Sequence, residues 1–310
     1  MHISKAGGLI AAAGPEATRP KLLPGSLTAV DHIAQTFQQA GLFPIVVVTG
    51  FEAEEVKYRL AGKGIVFLHN KNYRETEMFE SVRMGLDFLR DKCGRIVFTP
   101  STIPLFLPGT LHRLLQEKNS IVSPVCREND GHPVVLESEL VPQILSYQGD
   151  NGLRGALKEM EAVRTRVQVD DEGILITSHE TAKLRAHFAN RSDEFVQPIV
   201  RFGMERESEL FNARTKLLLL LVGVTGSVLG ASEMMAMSLS YAWNILNKLE
   251  TALGYKVIIR RRGGKAGSGS TLTDKGIAFL RAFQQYEEEV LETSKELFRE
   301  LLRDKGLLEP

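Results

Sequence analysis

Two stretches of the 310-residue sequence carry residue types whose spacing points to chemistry with phosphate groups. In Arg260-Arg261-Arg262-Gly263-Gly264-Lys265-Ala266-Gly267-Ser268-Gly269, glycines let a backbone come close to a phosphate. The four cations supply the charge that draws nucleic-acid phosphates by counterion release. The second stretch, Ala11-Ala12-Ala13-Gly14, follows an apolar run and admits a ligand close to the main chain, with Arg19 and Lys21 shortly after. A plainer reading stands beside this one, with Gly14 a strand-to-helix turn and Lys21 a solvated surface charge.

The basic loop needs a scaffold, and the residues before it predict one. The apolar run Leu217 to Val224 ends at Thr225-Gly226-Ser227, where glycine stops one helix and Ser227 caps the next, about Val228 to Ala236. Ser238 or Ser240 then caps a third helix that runs to Leu253, ended by Gly254. Ala242, Ile245, Leu246, Leu249 and Leu253 recur at helical spacing and face a core, which leaves Ser240, Tyr241, Asn244 and Lys248 outward. The runs Val257-Ile258-Ile259 and Ser270-Thr271-Leu272-Thr273 flank the basic loop as strands.

Together these elements read as a winged helix-turn-helix. Ser238 stands at the start of the recognition helix, Ser240, Tyr241 and Asn244 are placed toward bases, and Lys248, Arg260, Arg261, Arg262 and Lys265 toward phosphates of double-stranded DNA. A protein-interaction module is the alternative. Charge favours DNA: Phe211 to Gly276 holds nine Lys or Arg against three Asp or Glu, a net of +6, whereas the whole chain balances 38 against 38. Trp243, the only tryptophan, is expected as a core anchor. The order of corner, Met-Ser, Tyr-Ala-Trp and glycine-rich wing ending in Thr-Leu-Thr resembles the DNA-binding domain of ModE-family regulators over about Phe211 to Tyr286, and more distantly LysR-type winged helices. That family's molybdate-binding modules are not visible here, so molybdate is not implied as effector.

Toward the start of the chain, apolar runs and helical stretches alternate. Strands are expected near Phe43 to Thr49, Ile65 to Leu68, Arg95 to Thr99 and Ile121 to Pro124. Helices are expected near Ala29 to Ala40, Glu52 to Leu60, Ser81 to Leu89 and Gly109 to Lys118. This alternation predicts an α/β, Rossmann-like domain with a mostly parallel sheet and ligands at the carboxyl ends of its strands.

Four landmarks in order then resemble the MobA-like nucleotidyltransferases over about Lys5 to Phe188. They are Gly8-Leu9-Ile10-Ala11-Ala12-Ala13-Gly14 with Lys21-Leu22-Leu23-Pro24, Val46-Val47-Val48-Thr49-Gly50-Phe51, Gly131-His132-Pro133 and Gly152-Leu153-Arg154. The resemblance implies nucleotide binding by Ala12, Ala13, Gly14, Arg19, Lys21 and the Thr102 position. It implies substrate-side roles for Asn70, His132 and Arg154. Two of these keep a second reading, His132 as a turn residue bonded to backbone and Arg154 as partner of a nearby carboxylate. Met78 and Phe79 in the substrate-side loop are expected to be core. In that family, aspartates hold a catalytic magnesium that offsets charge developing at phosphorus.

The sequence departs from the family at that locus. The first aspartate position is Thr102, a poor magnesium ligand, the two later acidic positions are Thr177 and His179, and the first loop is short. The resulting expectation is no catalytic residue and no bound metal. A degenerate transferase domain would instead sense a nucleotide or pterin-type ligand and relay its presence to the DNA-binding domain. The alternative is an active, magnesium-dependent transferase of molybdenum-cofactor maturation in which Asp170, Asp171 or Glu180 replaces a ligand.

The expected domains are 1–190 for ligand binding, 191–210 as linker and 211–310 for DNA binding; Val196 to Phe202 is a candidate short strand within the linker. Thr273 to about Leu302 reads as one helix with Leu280, Phe283, Val290, Leu297 and Leu301 near a three-four repeat, suited to pairing two subunits; Glu287-Glu288-Glu289 is expected as a solvated face. With 43% hydrophobic residues, no membrane-length apolar run and no charged-then-apolar start, a cytoplasmic homodimer is expected. Cys93 and Cys126 lack metal-ligand spacing and are expected as buried thiols.

Overall fold

Apolar runs without alternation form strands that are covered on both faces, as a parallel sheet requires. In the computed structural model, which describes residues 4–18, 27–195, 200–264 and 267–304, the chain divides into two units, Met1–Leu60 with Ile65–Gln197 and Ala61–Gly64 with Pro198–Pro310.

The first unit runs β1 (Ser4–Ala12), α1 (Ala29–Gln39), β2 (Ile45–Thr49), α2 (Ala53–Leu60), β3 (Ile65–His69), α3 (Met78–Leu89), β4 (Cys93–Pro100), α4 (Pro108–Gln116), β5 (Ile121–Cys126), β6 (Asn129–Asp130), β7 (Val134–Glu137), α5 (Val141–Ser146), α6 (Gly152–Glu159), β8 (Arg164–Gln168) and α7 (Thr181–Asn190). The sheet order is β3-β2-β1-β4-β7-β5-β6, with β8 on β5. The β3-β2-β1-β4 block and the β5–β8 pair are parallel, so the fold is α/β with a mostly parallel central sheet, as expected. β7 enters antiparallel between β4 and β5. Register places Ala12 opposite Thr49 and Ala11 opposite Pro100, so β1, β2 and β4 end level and their following loops share one rim. Beneath them Ile10, Val47 and Phe37 are fully buried. The start of α1 is fixed by a capping box between Thr28 and Asp31.

The second unit runs β9 (Met204–Glu205), β10 (Glu209–Phe211), α8 (Ala213–Thr225), α9 (Val228–Met234), α10 (Leu239–Leu253), β11 (Ile258–Gly264), β12 (Gly267–Leu272) and α11 (Asp274–Asp304). Gly226 ends α8 at φ +66° and Ser227 caps α9; Ser238 caps α10 and Gly254 ends it at φ +73°. The antiparallel β11–β12 hairpin is stitched to the first corner, where the Ser270 amide donates to the Gly226 carbonyl at 2.7 Å.

Several expectations need correction. The stretch expected as linker contains the β9–β10 hairpin, whose Phe211 is buried edge-on to Phe279 and Phe283 of α11; the charges around these strands hide a two-residue alternation too short to read. In the candidate strand, residues 196–199 lie outside the described ones and residues 200–202 form no strand. Glu287 is not simply solvated, because it pairs with the buried ammonium of Lys216 on α8. Met78 is exposed at the start of α3, and Phe79 is half-buried against Tyr147. Both cysteines are free and buried. Among the described residues no helix is long and apolar enough to cross a membrane.

Candidate functional site

The strand ends of the first unit build one rim. The Ala11 carbonyl accepts from the Ser101 amide and the Ala13 carbonyl from the Phe51 amide, both at 2.9 Å, so the loop after β1 is tied to those after β4 and β2. Gly14 is extended at φ −87° and opens a short turn over Pro15–Ala17. A Cβ there would lie 2.5 Å from Glu16 Oε2, the mobile end of a side chain that can swing aside, so neither close approach nor backbone angle requires glycine at this position. Gly50 is tighter: its Cβ would meet Tyr73 and the Ala13 carbonyl.

The positions that lack carboxylates converge on this rim. The Thr102 carbonyl accepts from the Ser178 amide at 2.7 Å, and His179 Nε2 lies 3.8 Å from Glu16 Oε1. Two of the three acidic groups proposed as substitutes, Asp171 and Glu180, are otherwise engaged. Asp171 is buried and accepts from the Leu107 amide at 2.7 Å, the Thr110 hydroxyl at 2.7 Å and the Gly173 amide at 3.0 Å; burial raises its pKa although these donors oppose the shift. It therefore caps α4. Glu180 accepts from Lys183, then from the Thr177 amide at 3.0 Å, and in that order these bonds lower its pKa to about 2. Asp170 lends only its main-chain carbonyl to Arg191, and the residue is exposed. Among the described residues no three acidic, imidazole or thiol groups converge to hold a metal, so the donor set does not fit the magnesium that the fold implies.

The substrate-side residues separate. Asn70 is 4% exposed, donates to Thr76 Oγ1 and Ser81 Oγ at 3.0 Å and accepts from the Asn72 amide at 3.0 Å. With both amide hydrogens committed, its side chain organises the loop after β3. His132 is half-buried, its backbone amide donates to the Ile174 carbonyl at 3.1 Å, and its ring stands edge-on to Phe98 at 5.4 Å. Burial lowers its pKa to about 4 against the opposing pull of the Phe98 carbonyl. Its surroundings favour the turn role. Arg154 is exposed on α6, and Gly152 before it has φ +53°, which is why that landmark needs glycine. Arg19 and Lys21 lie outside the described residues.

On the second unit, Ala242, Leu246 and Leu249 are buried, Ile245 and Leu253 are half-buried, and Ser238, Ser240, Tyr241, Asn244 and Lys248 are exposed along α10. The Ser238 hydroxyl accepts from the Tyr241 amide at 3.2 Å, so it caps the helix as well as facing outward. Two contacts escaped sequence reasoning. Arg214 Nη1 donates to the Tyr241 hydroxyl at 2.7 Å, and the Arg260 guanidinium lies 3.8 Å from the Trp243 ring centre. Trp243 is thus half-buried with one face under an arginine, a correction to its reading as a core anchor. No local pattern links residues 17 or 27 positions apart. The side chains of Arg261 and Arg262 and the whole of Lys265 lie outside the described residues.

Residues 19–164 match the MobA-like NTP transferase domain. A nucleotidyl transferase from Methanothermobacter superposes with a TM-score of 0.51 at 20% identity, over 60% of this chain and 98% of that one. The 2-C-methyl-D-erythritol 4-phosphate cytidylyltransferase from Thermus thermophilus gives 0.46 at 17% identity, over 59% and 98%. At 20% identity the likeness to the Methanothermobacter structure concerns fold alone. An 84-residue stretch is 31% identical to the Molybdenum-pterin-binding protein MopB of Rhodobacter capsulatus, over 27% of this chain and 31% of that protein. The chain spans under a third of that relative's length.

Proposed function

We propose that the chain is a DNA-binding transcriptional regulator whose winged helix-turn-helix at 211–310 is governed by a nucleotidyltransferase-like domain at 1–190 that binds a nucleotide or molybdopterin-type ligand without turning it over. The observation that carries this reading is α10, which presents Ser240, Tyr241, Asn244 and Lys248 outward beside a hairpin rich in arginine and glycine. Helix and hairpin supply base-facing and phosphate-facing groups respectively. The identity of an 84-residue stretch with a molybdenum-pterin-binding protein supports a pterin-type effector. Loss of turnover is supported by Thr102, Thr177 and His179 where carboxylates are needed, and by the commitment of Asp171 and Glu180 to structure. The second reading, an active magnesium-dependent transferase that controls its own genes, draws on the match of residues 19–164.

Titrating the full-length protein with duplex DNA, in the presence of nucleoside triphosphates or molybdopterin-type ligands with and without magnesium, tests both readings. A ligand-dependent change in duplex affinity of about five-fold or more is expected. Replacing Arg261 or Lys265 by alanine should flatten the salt dependence by about one unit per contact, evenly across sequences. Efficient metal-dependent nucleotide transfer would select the second reading.

A further inference from the structure

We infer that Trp243 is a platform that holds Arg260 as a fixed phosphate clamp at the seam between α10 and the β11–β12 hairpin, so that this arginine is pre-positioned before DNA arrives. The inference rests on the DNA-binding reading above and names the role of two residues within it.

Strand alternation sets Ile258 and Arg260 on one face of β11 and Ile259 on the other. Ile258 is buried and Ile259 is 51% exposed, so Arg260 shares the face that packs on the helices, yet it is itself exposed. It therefore emerges where helix and hairpin meet, paired across the ladder with Ser270, whose amide is fixed to the Gly226 carbonyl of the helical corner. From there its guanidinium lies over the Trp243 ring, 3.8 Å from the centre. Stacking engages the π faces of both groups and leaves the N–H donors at the guanidinium edge, where a bidentate phosphate contact forms. Among the described residues no carboxylate pairs with Arg260, in contrast to Lys216, Lys256 and Arg59, which all meet acids. An arginine fixed by a ring and left without an acid suits an anion from outside the chain. Its donors are also ordered in advance, so little rotamer entropy is lost on contact.

The test uses the full-length protein, a mixed-sequence duplex of about three helical turns, and salt titrations read by anisotropy. Trp243 is the sole tryptophan, so its emission reports directly on the platform. Arg260→Ala should weaken binding about ten-fold for every sequence, lower the salt slope by about one, and change Trp243 emission in the free protein. Arg260→Lys should keep the slope and still lose affinity, because the charge remains and the planar fork does not. Trp243→Leu should weaken binding, and Arg260→Ala added to it should cost much less than it does alone; Trp243→Phe should restore most of the affinity. Additive losses in that cycle, or an unchanged slope for Arg260→Ala while the wild-type protein binds, would overturn the platform and leave the DNA-binding reading intact. A wild-type protein with no salt-sensitive duplex affinity would overturn both.

Discussion

The Thr102 carbonyl accepts a hydrogen bond from the Ser178 amide at 2.7 Å, which sets the segments that carry Thr102 and His179 against each other. Substitution at one segment therefore bears on the other, since a metal held at such a rim draws ligands from both. His179, next to Ser178, also faces the Glu16 carboxylate, so a carboxylate at 179 would join an existing one.

The first prediction places carboxylates in both segments. Thr102→Asp with His179→Asp should create a magnesium site. At magnesium ten-fold above the dissociation constant, linkage adds about 1.4 kcal/mol, or about 3 °C in melting temperature. Thermal melts of both proteins with and without magnesium check this. An equal magnesium shift in the wild-type chain would show that its own donors already suffice.

Much of this rim was legible in the sequence, and the limits have physical causes. Alternating strands and helices gave the parallel block, because each buried strand is an unbroken apolar run, as in Ile45–Thr49. The antiparallel entry of β7 was not legible: Val134–Glu137 is a short apolar run whose direction depends on which neighbours it meets. The Thr225-Gly226-Ser227 corner was readable because capping is local chemistry. Asp171 looked like a spare metal ligand, but its partners Leu107 and Thr110 lie more than sixty positions away, and only the fold reveals that it caps a helix. Arg260 over Trp243 escaped for the same reason.

A second prediction concerns acid. His32 on α1 is 7% exposed, edge-on to Phe195 at 5.2 Å and Phe188 at 6.3 Å, and its Nε2 finds no hydrogen-bond partner among the described residues. Burial lowers its pKa from 6.5 to about 4. The folded state therefore holds the neutral ring while the unfolded chain takes up a proton below pH 6.5. The sign follows: this stability is fully present above pH 6.5 and is lost as pH falls toward 4, a change of roughly 3 kcal/mol. Urea unfolding at a series of pH values in that window should show the decline, and His32→Phe, placed among aromatic rings, should reduce it, leaving the share of His132, whose pKa burial also lowers to about 4. An unchanged slope in the variant would assign the acid sensitivity elsewhere.

The third prediction concerns α11. Its first half is anchored: Leu280 and Phe283 are buried, and Glu287 is paired with Lys216. Farther along, Leu297, Phe298 and Leu301 are 51%, 39% and 49% exposed, and positions 297 and 301 lie one helical turn apart on one face. Large apolar groups in that pattern are stable in water when a second helix covers them, and a second copy of the same chain offers the same stripe for a two-fold pairing. Such a dimer would carry two copies of α10 and favour a DNA site with two related halves. Leu297→Glu with Leu301→Glu should yield a monomer in sedimentation at concentrations where the wild-type protein is dimeric. The far-ultraviolet spectrum should stay close to wild type, because the buried half of α11 is untouched. Duplex affinity should fall steeply, since each monomer then grips one half-site alone. A double-glutamate variant that still sediments as a dimer would place the subunit contact on another surface.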